Sequence, residues 1–245
     1  MISQLTFNEQ SLLMAKLSNL SYEDNRKFDD LGYDSMFVNY HGTQTYALWD
    51  KNDIIIVCRG TEPNQLADIA ADIEFNLVPS MNGNGLVHCG FKHSVDRIWV
   101  TIYAILTKYS NRKVWITGHS LGAAMATIIT TRCYEDKTLA DPILFTFGSP
   151  RVGNHDYVDH MNTLNIKHYR WVNNADIVTR NPLYPYRHHG KLNYFDHHGN
   201  IAVVNTWQLI KDRIKGFIIG IKKGKINFFV NHSITNYIKN LEKLT

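Results

Sequence analysis

The chain has 245 residues, 44% of them hydrophobic and 20% charged, which suits one large α/β domain with a sizeable core and excludes wholesale disorder. Its formal net charge of +4 is spread along the chain without a nucleic-acid-binding motif, so no nucleic-acid partner is expected. Cys58, Cys89 and Cys133 lack metal-ligand spacing and are too sparse for a disulfide framework.

The N-terminus shows no basic region followed by an apolar run, and no segment approaches the roughly 18 apolar residues of a membrane span. A soluble protein is expected, cytoplasmic unless exported by a non-classical route. Phe7 to Leu20 reads as a helix with Leu12, Leu13, Leu17 and Leu20 on one face. Met36 to Asn39 and Thr45 to Trp49 read as short strands joined by a His41-Gly42 hairpin. Ile54 to Cys58 is a continuous apolar run, as expected of a strand buried on both faces. Leu66, Ile69, Ala70, Ile73 and Leu77 recur at helical spacing, and a further helix is predicted from Phe91 to Lys108.

Val114 to Thr117, Ile143 to Phe147 and His168 to Val172 read as further strands, with a small-residue helix over Ala123 to Thr131. Residues around His188 to His198 read as a polar, aromatic, proline-containing loop, and the chain closes with a helix over Ser233 to Leu244. Strands alternating with helices predict a mainly parallel sheet covered on both faces, with functional residues beyond the strands' C-terminal ends.

Gly118-His-Ser-Leu-Gly122 stands between such a strand and such a helix. By itself Gly-x-Ser-x-Gly arises by chance in about one unrelated chain in ten of this length. In strand-turn-helix context it reads as a nucleophile elbow, which lifts Ser120 clear of the sheet and aims the Leu121 N–H at a developing oxyanion. A serine hydroxyl also needs a base and an acid to orient that base, in the order Ser, Asp or Glu, His for this kind of sheet. Asp176, just past a strand, suits the acid better than Asp141, Asp156, Asp159 or Asp196. Five histidines follow it: His188, His189, His197, His198 and His232. The pattern favours His232, beside the apolar Ile226 to Val230 and ahead of the last helix, without eliminating the others.

The sequence resembles the class 3 lipase family. Matching blocks stand in order: Val57-Cys-Arg-Gly-Thr61, Val87-His-Cys-Gly-Phe91, Ile116 to Ala124, Thr146-Phe-Gly-Ser-Pro-Arg-Val-Gly-Asn154, Asn174-Ala-Asp-Ile-Val178, and His232 with Tyr237. The resemblance implies an α/β-hydrolase fold in a single domain and a Ser120, Asp176, His232 triad. It also implies an oxyanion hole from Thr61 and Leu121, and ester hydrolysis on a lipid or small ester without metal or organic cofactor. Acyl transfer or thioester hydrolysis would use the same triad, and a non-catalytic lipid-binding module would be expected to lose one of its members.

In the family the segment after the oxyanion residue is often a lid, here Glu62 to Phe75, although its stripe would equally suit an ordinary packed helix. The family's secreted fungal members carry signal peptides and disulfides that this sequence lacks, which favours an intracellular or non-classically exported relative. The twin pairs His188-His189 and His197-His198, with Asp196, raise a metal hypothesis, but adjacent histidines usually point apart and packing roles are expected instead. Trp207 to Phe229 mixes lysine and arginine with apolar residues, a composition suited to peripheral contact with a membrane surface or to a solvated face anchored in the core.

Overall fold

The apolar run after Asn52 forms the strand around which the sheet is built. In the computed structural model, which describes residues 1–23, 28, 31–60, 76–202 and 230–245, all six residues of β3 (Asp53–Cys58) are buried. Antiparallel β2 (Thr43–Trp49) and then β1 (Asp34–Tyr40) flank it on one side. On the other side it pairs in parallel with β6 (Lys113–His119), followed by β7 (Ile143–Phe147), β8 (His168–Asn173) and β9 (Lys191–Phe195). Among the described residues these seven strands form one sheet in the order β1-β2-β3-β6-β7-β8-β9. A small antiparallel pair, β4 (Leu77–Pro79) and β5 (Leu86–His88), lies apart from it.

Alternate side chains of the central strands feed two apolar layers, as strand geometry requires. Ile54, Ile56, Cys58, Ile116 and Leu144 pack with α2 (Cys89–Lys108) and α3 (Leu121–Glu135). Ile55, Val57, Trp115, Phe145 and Trp171 pack with α1 (Phe7–Leu20) and α5 (Ile234–Leu241). The short α4 (His155–Thr163), capped by the Asn154 side chain on the Tyr157 N–H, lies between β7 and β8 in the chain.

Several expectations change in detail. A capping box between Thr6 and Glu9 starts α1 where predicted, but its fully buried positions are Ser11, Met14, Ala15, Leu17 and Ser18. Leu12, Leu13 and Leu20 are only partly buried. Small side chains let the helix approach β6 closely enough for Ser18 Oγ to lie 3.0 Å from Thr117 Oγ1. Leu77 belongs to β4 rather than to a helix, and the rest of its stripe lies outside the described residues. The supposed loop after His188 contains β9, an edge strand in which only Tyr194 and Phe195 are buried. His41 and Gly42 both take positive φ, 48° and 78°, as a tight two-residue hairpin turn demands. Among the described residues no helix is long and apolar enough to cross a membrane.

Buried Asp53 ties three parts of this frame together. One carboxylate oxygen accepts the Ile2 N–H at 3.0 Å and the other accepts the Trp115 indole N–H at 2.9 Å. Replacing it leaves two buried donors unsatisfied, each costing about 1–3 kcal/mol. Asp53→Ala is therefore expected to lower stability by about 3 kcal/mol in urea unfolding, and Asp53→Asn, which keeps one acceptor, by about half as much. Unchanged midpoints in both variants would remove Asp53 from this role.

Candidate active site

Ser120 occupies the single residue between β6 and α3, with φ 59° and ψ −129°. A non-glycine residue rarely holds such a conformation unless its surroundings enforce it. Here the enforcement is steric. A Cβ on Gly118 would lie 2.4 Å from the Gly122 backbone, and one on Gly122 only 2.1 Å from the Cys58 carbonyl oxygen. The two glycines thus let α3 press against β3 while the chain reverses. The Ser120 N–H donates to the Phe147 carbonyl at 3.0 Å, fixing the turn to β7. Leu121, at the start of α3, presents one of the first-turn N–H groups that have no intrahelical acceptor.

Asp176 follows β8 and is fully buried. Both of its carboxylate oxygens lie 3.0 Å from His232 Nδ1. Oδ2 also accepts the Tyr237 hydroxyl at 2.6 Å, and Oδ1 accepts the Val178 N–H at 3.0 Å. Burial pushes this carboxyl up, but the charge of His232 and the hydrogen bonds from His232 and Tyr237 outweigh it and hold the group below its ordinary value. Burial, and then the charge of Asp176, push the Tyr237 hydroxyl well above its usual range, so it remains a donor. His232, in a 3-10 turn over Val230–His232, is buried, and its Nε2 has no hydrogen-bond partner among the described residues. An imidazole anchored through Nδ1 with its other nitrogen unengaged is arranged as a proton acceptor.

His119 joins the elbow to this pair. Its Nε2 lies 2.7 Å from the His232 carbonyl oxygen, so Nε2 carries the proton, and Nδ1 accepts the Tyr22 hydroxyl at 2.9 Å. The two histidine rings lie 4.5 Å apart. Burial, then the facing His232, push His119 down to about 3, so it is neutral at ordinary pH. A second buried connection comes from Gly148, with φ 60°: a Cβ there would lie 2.9 Å from both Asp176 Oδ2 and His232 Nδ1.

The structure therefore brings Ser120, Asp176, His232 and Leu121 to one edge of the sheet. Thr61, the segment Glu62 to Phe75 and the basic, apolar stretch Trp207 to Phe229 lie outside the described residues. The rival carboxylates Asp141, Asp156 and Asp159 are exposed, and Asp196 caps its own turn through the His198 and Asn200 N–H groups. Sequence patterning misses Tyr22, His119, Gly148 and the function of Tyr237. Only the glycine after β7 and the tyrosine five positions beyond His232 leave a trace that could have been followed.

The other histidines have structural partners. His188 Nε2 donates to the Thr179 carbonyl at 2.7 Å. His189 Nδ1 lies 3.2 Å from His168 Nδ1, whose ring is held by Thr146 at 2.8 Å. Among the described residues no three potential metal ligands come together.

The family model for Lipase (class 3) matches residues 55–185. The chain belongs to the class 3 lipase family. A class 3 lipase assignment accords with its similarity to a lipase of Rhizopus niveus, 33% identical over 137 residues, covering 53% of this chain and 34% of the relative. A triacylglycerol lipase of Ricinus communis is 26% identical over 228 residues, covering 68% of this chain and 43% of that protein. The chain thus spans about a third of the first relative and less than half of the second. Rhizomucor miehei lipase in its propeptide complex superposes with a TM-score of 0.66 at 25% identity, over 78% of this chain and 70% of that one. A triacylglycerol lipase described as having a serine protease triad at its catalytic centre gives 0.67 at 26% identity, over 78% and 82%. The fold is that of the α/β-hydrolases.

Two outcomes follow from this geometry. Gly148→Ala must displace Asp176 or His232, and is expected to lower kcat for ester hydrolysis by about tenfold or more, because misplacement of a reacting group costs rate steeply. Wild-type kcat in that variant would remove the constraint. Burial pushes His168 well below its ordinary 6.5 and His189 to about 4. The unfolded chain then binds more protons than the folded one, so stability present above about pH 6.5 is lost as pH falls towards 4. Thermal unfolding should show a smaller loss over that interval in the His168→Gln, His189→Gln double variant; equal losses would count against the pair.

Proposed function

We propose that the chain is a serine carboxyl-ester hydrolase acting on lipid esters through an acyl-enzyme on Ser120. The observation that carries this reading is the strained elbow at Ser120 beside a buried His232–Asp176 pair whose outer imidazole nitrogen is unengaged. His232 Nε2 takes the Ser120 hydroxyl proton as Oγ attacks the ester carbonyl, and the carbonyl π pair moves onto oxygen. Asp176, ionised and fixed by Tyr237 and Val178, orients the imidazole and stabilises its charged form. Neutral His119 adds no opposing charge as that cation forms.

The Leu121 N–H is one donor for the oxyanion, and Thr61, matched by the Arg59-Gly60-Thr61 block, is assigned as the second. Collapse of the tetrahedral intermediate expels the alcohol, which receives the proton from His232. Water then repeats the sequence on the acyl-enzyme, releasing the acid and restoring Ser120. None of these steps requires a metal or organic cofactor.

The deciding experiment is labelling with a fluorophosphonate probe alongside turnover of a short p-nitrophenyl ester. Wild type should label, and Ser120→Ala should not. Ser120→Ala and His232→Ala should lose activity by about ten-thousandfold, while His197→Ala and His198→Ala should keep it. Labelling that persists in folded Ser120→Ala would refute the assignment of the nucleophile.

A further inference from the structure

The turn that carries the base, Val230–His232, has each of its carbonyls held by a different side chain. The Val230 carbonyl accepts Asn236 Nδ2 at 2.6 Å, from the helix that follows. The Asn231 carbonyl accepts Asn173 Nδ2 at 3.0 Å, from the end of β8. The His232 carbonyl accepts His119 Nε2 at 2.7 Å. The first two bonds tie the turn to α5 and to the strand that leads to Asp176. Of the three, only the last reaches the element that carries the nucleophile, because His119 is the chain neighbour of Ser120 in the elbow.

His119 is itself fixed from the far side. Tyr22, just past α1, donates its hydroxyl to Nδ1 at 2.9 Å. A Cβ on Gly60 would lie 2.3 Å from that hydroxyl and 2.6 Å from the His119 carbonyl, so the chain leaving β3 presses on the same pair. With Nδ1 accepting, Nε2 keeps the proton; the opposite tautomer would set a lone pair against the His232 carbonyl oxygen. The two imidazoles lie with centroids 4.5 Å apart and planes at 33°, so the His119 ring also forms a wall for the base. An apolar ring would fill this space as well. What it would lack is a donor aimed at the carbonyl of residue 232.

We infer that His119 is a positioning residue for ester hydrolysis, which sets the placement of His232 relative to Ser120 through the His232 carbonyl, with Tyr22 holding it in the required tautomer and plane. It takes no proton from substrate and gives none. The inference deepens the ester-hydrolase reading above and rests on it. Because the base serves both acylation and deacylation, misplacing it lowers kcat, while binding of a small ester is untouched.

The test compares two amides that differ by one methylene. A glutamine side chain carries its N–H about as far from the backbone as imidazole Nε2, whereas asparagine stops near Nδ1 and cannot reach the carbonyl. For a soluble p-nitrophenyl ester, His119→Asn should lower kcat about tenfold with KM unchanged, and His119→Gln should restore most of it. Equal kcat in the two folded variants overturns the inference, since a space-filling or merely structural role would not distinguish them. Tyr22→Phe, which deletes only the hydroxyl, should lower kcat about threefold. Should His119→Asn fail to fold, this variant carries the test, and an unchanged kcat in it overturns the inference.

A readout without turnover separates this from failure of the hydrolase reading. The His232 Nδ1 proton, shared with Asp176, is followed by NMR in protein labelled with 15N-histidine. Its exchange with water should be at least about tenfold faster in His119→Asn than in His119→Gln. That difference supports the positioning role even if no ester is hydrolysed. Equal exchange in the two variants overturns it.

Discussion

Everything at the active edge depends on how closely the backbone of α3 approaches β3. Gly122 leaves no room for a side chain against the Cys58 carbonyl, and Gly118 leaves none against Gly122. This contact forces the reversal at Ser120 and its positive φ, which raises the serine above the ends of the strands. The helix that follows can lie flat because residues such as Ala123, Ala124 and Ala126 are small and completely buried. Strain of this kind persists only where packing over-determines it. The packing here is the sheet core itself, so the reactive turn draws on the stability of the whole domain.

A second constraint is electrostatic. Burying Asp176 is tolerable because donors surround the carboxylate: His232 on both oxygens, the Tyr237 hydroxyl on one and the Val178 amide on the other. Each of these donors comes from a different turn or helix, so loss of any one leaves a buried charge short of partners. His119 adds a third titratable ring to the same small volume without adding charge, because its two nitrogens are committed to Tyr22 and to the His232 carbonyl. Charge, tautomer and backbone position are thus determined together.

Much of this was legible in the residues. The apolar runs of β3, β6 and β7 carry their own burial signal, and the elbow is written in paired glycines because close approach of backbones admits nothing else. Edge elements were harder to read. In β9 only Tyr194 and Phe195 are buried, and α4 buries only Tyr157 and Met161, too few positions to establish a period. The stripe ending at Leu77 had helical spacing, yet Leu77 pairs across to His88 in a strand. Choosing His232 from five histidines needed more than spacing, since only docking of α5 places it against Asp176. His119 sat inside the motif itself, but its partner Tyr22 lies nearly a hundred residues earlier, where local sequence gives no sign of the contact.

The docking of α5 carries a further consequence. This helix rests on α1 through a shared apolar layer, with the Asn8 side chain donating to the Leu244 carbonyl and Lys16 pairing with Glu242. Tyr237 reaches Asp176 from α5, and His232 precedes that helix by two residues. Every other described element is translated before it. A growing chain can therefore assemble its sheet and its strained serine while still lacking the base that would make the serine reactive. Vectorial synthesis orders these parts so that the serine and its turn are in place before the base, which arrives with the docking of α5 on α1.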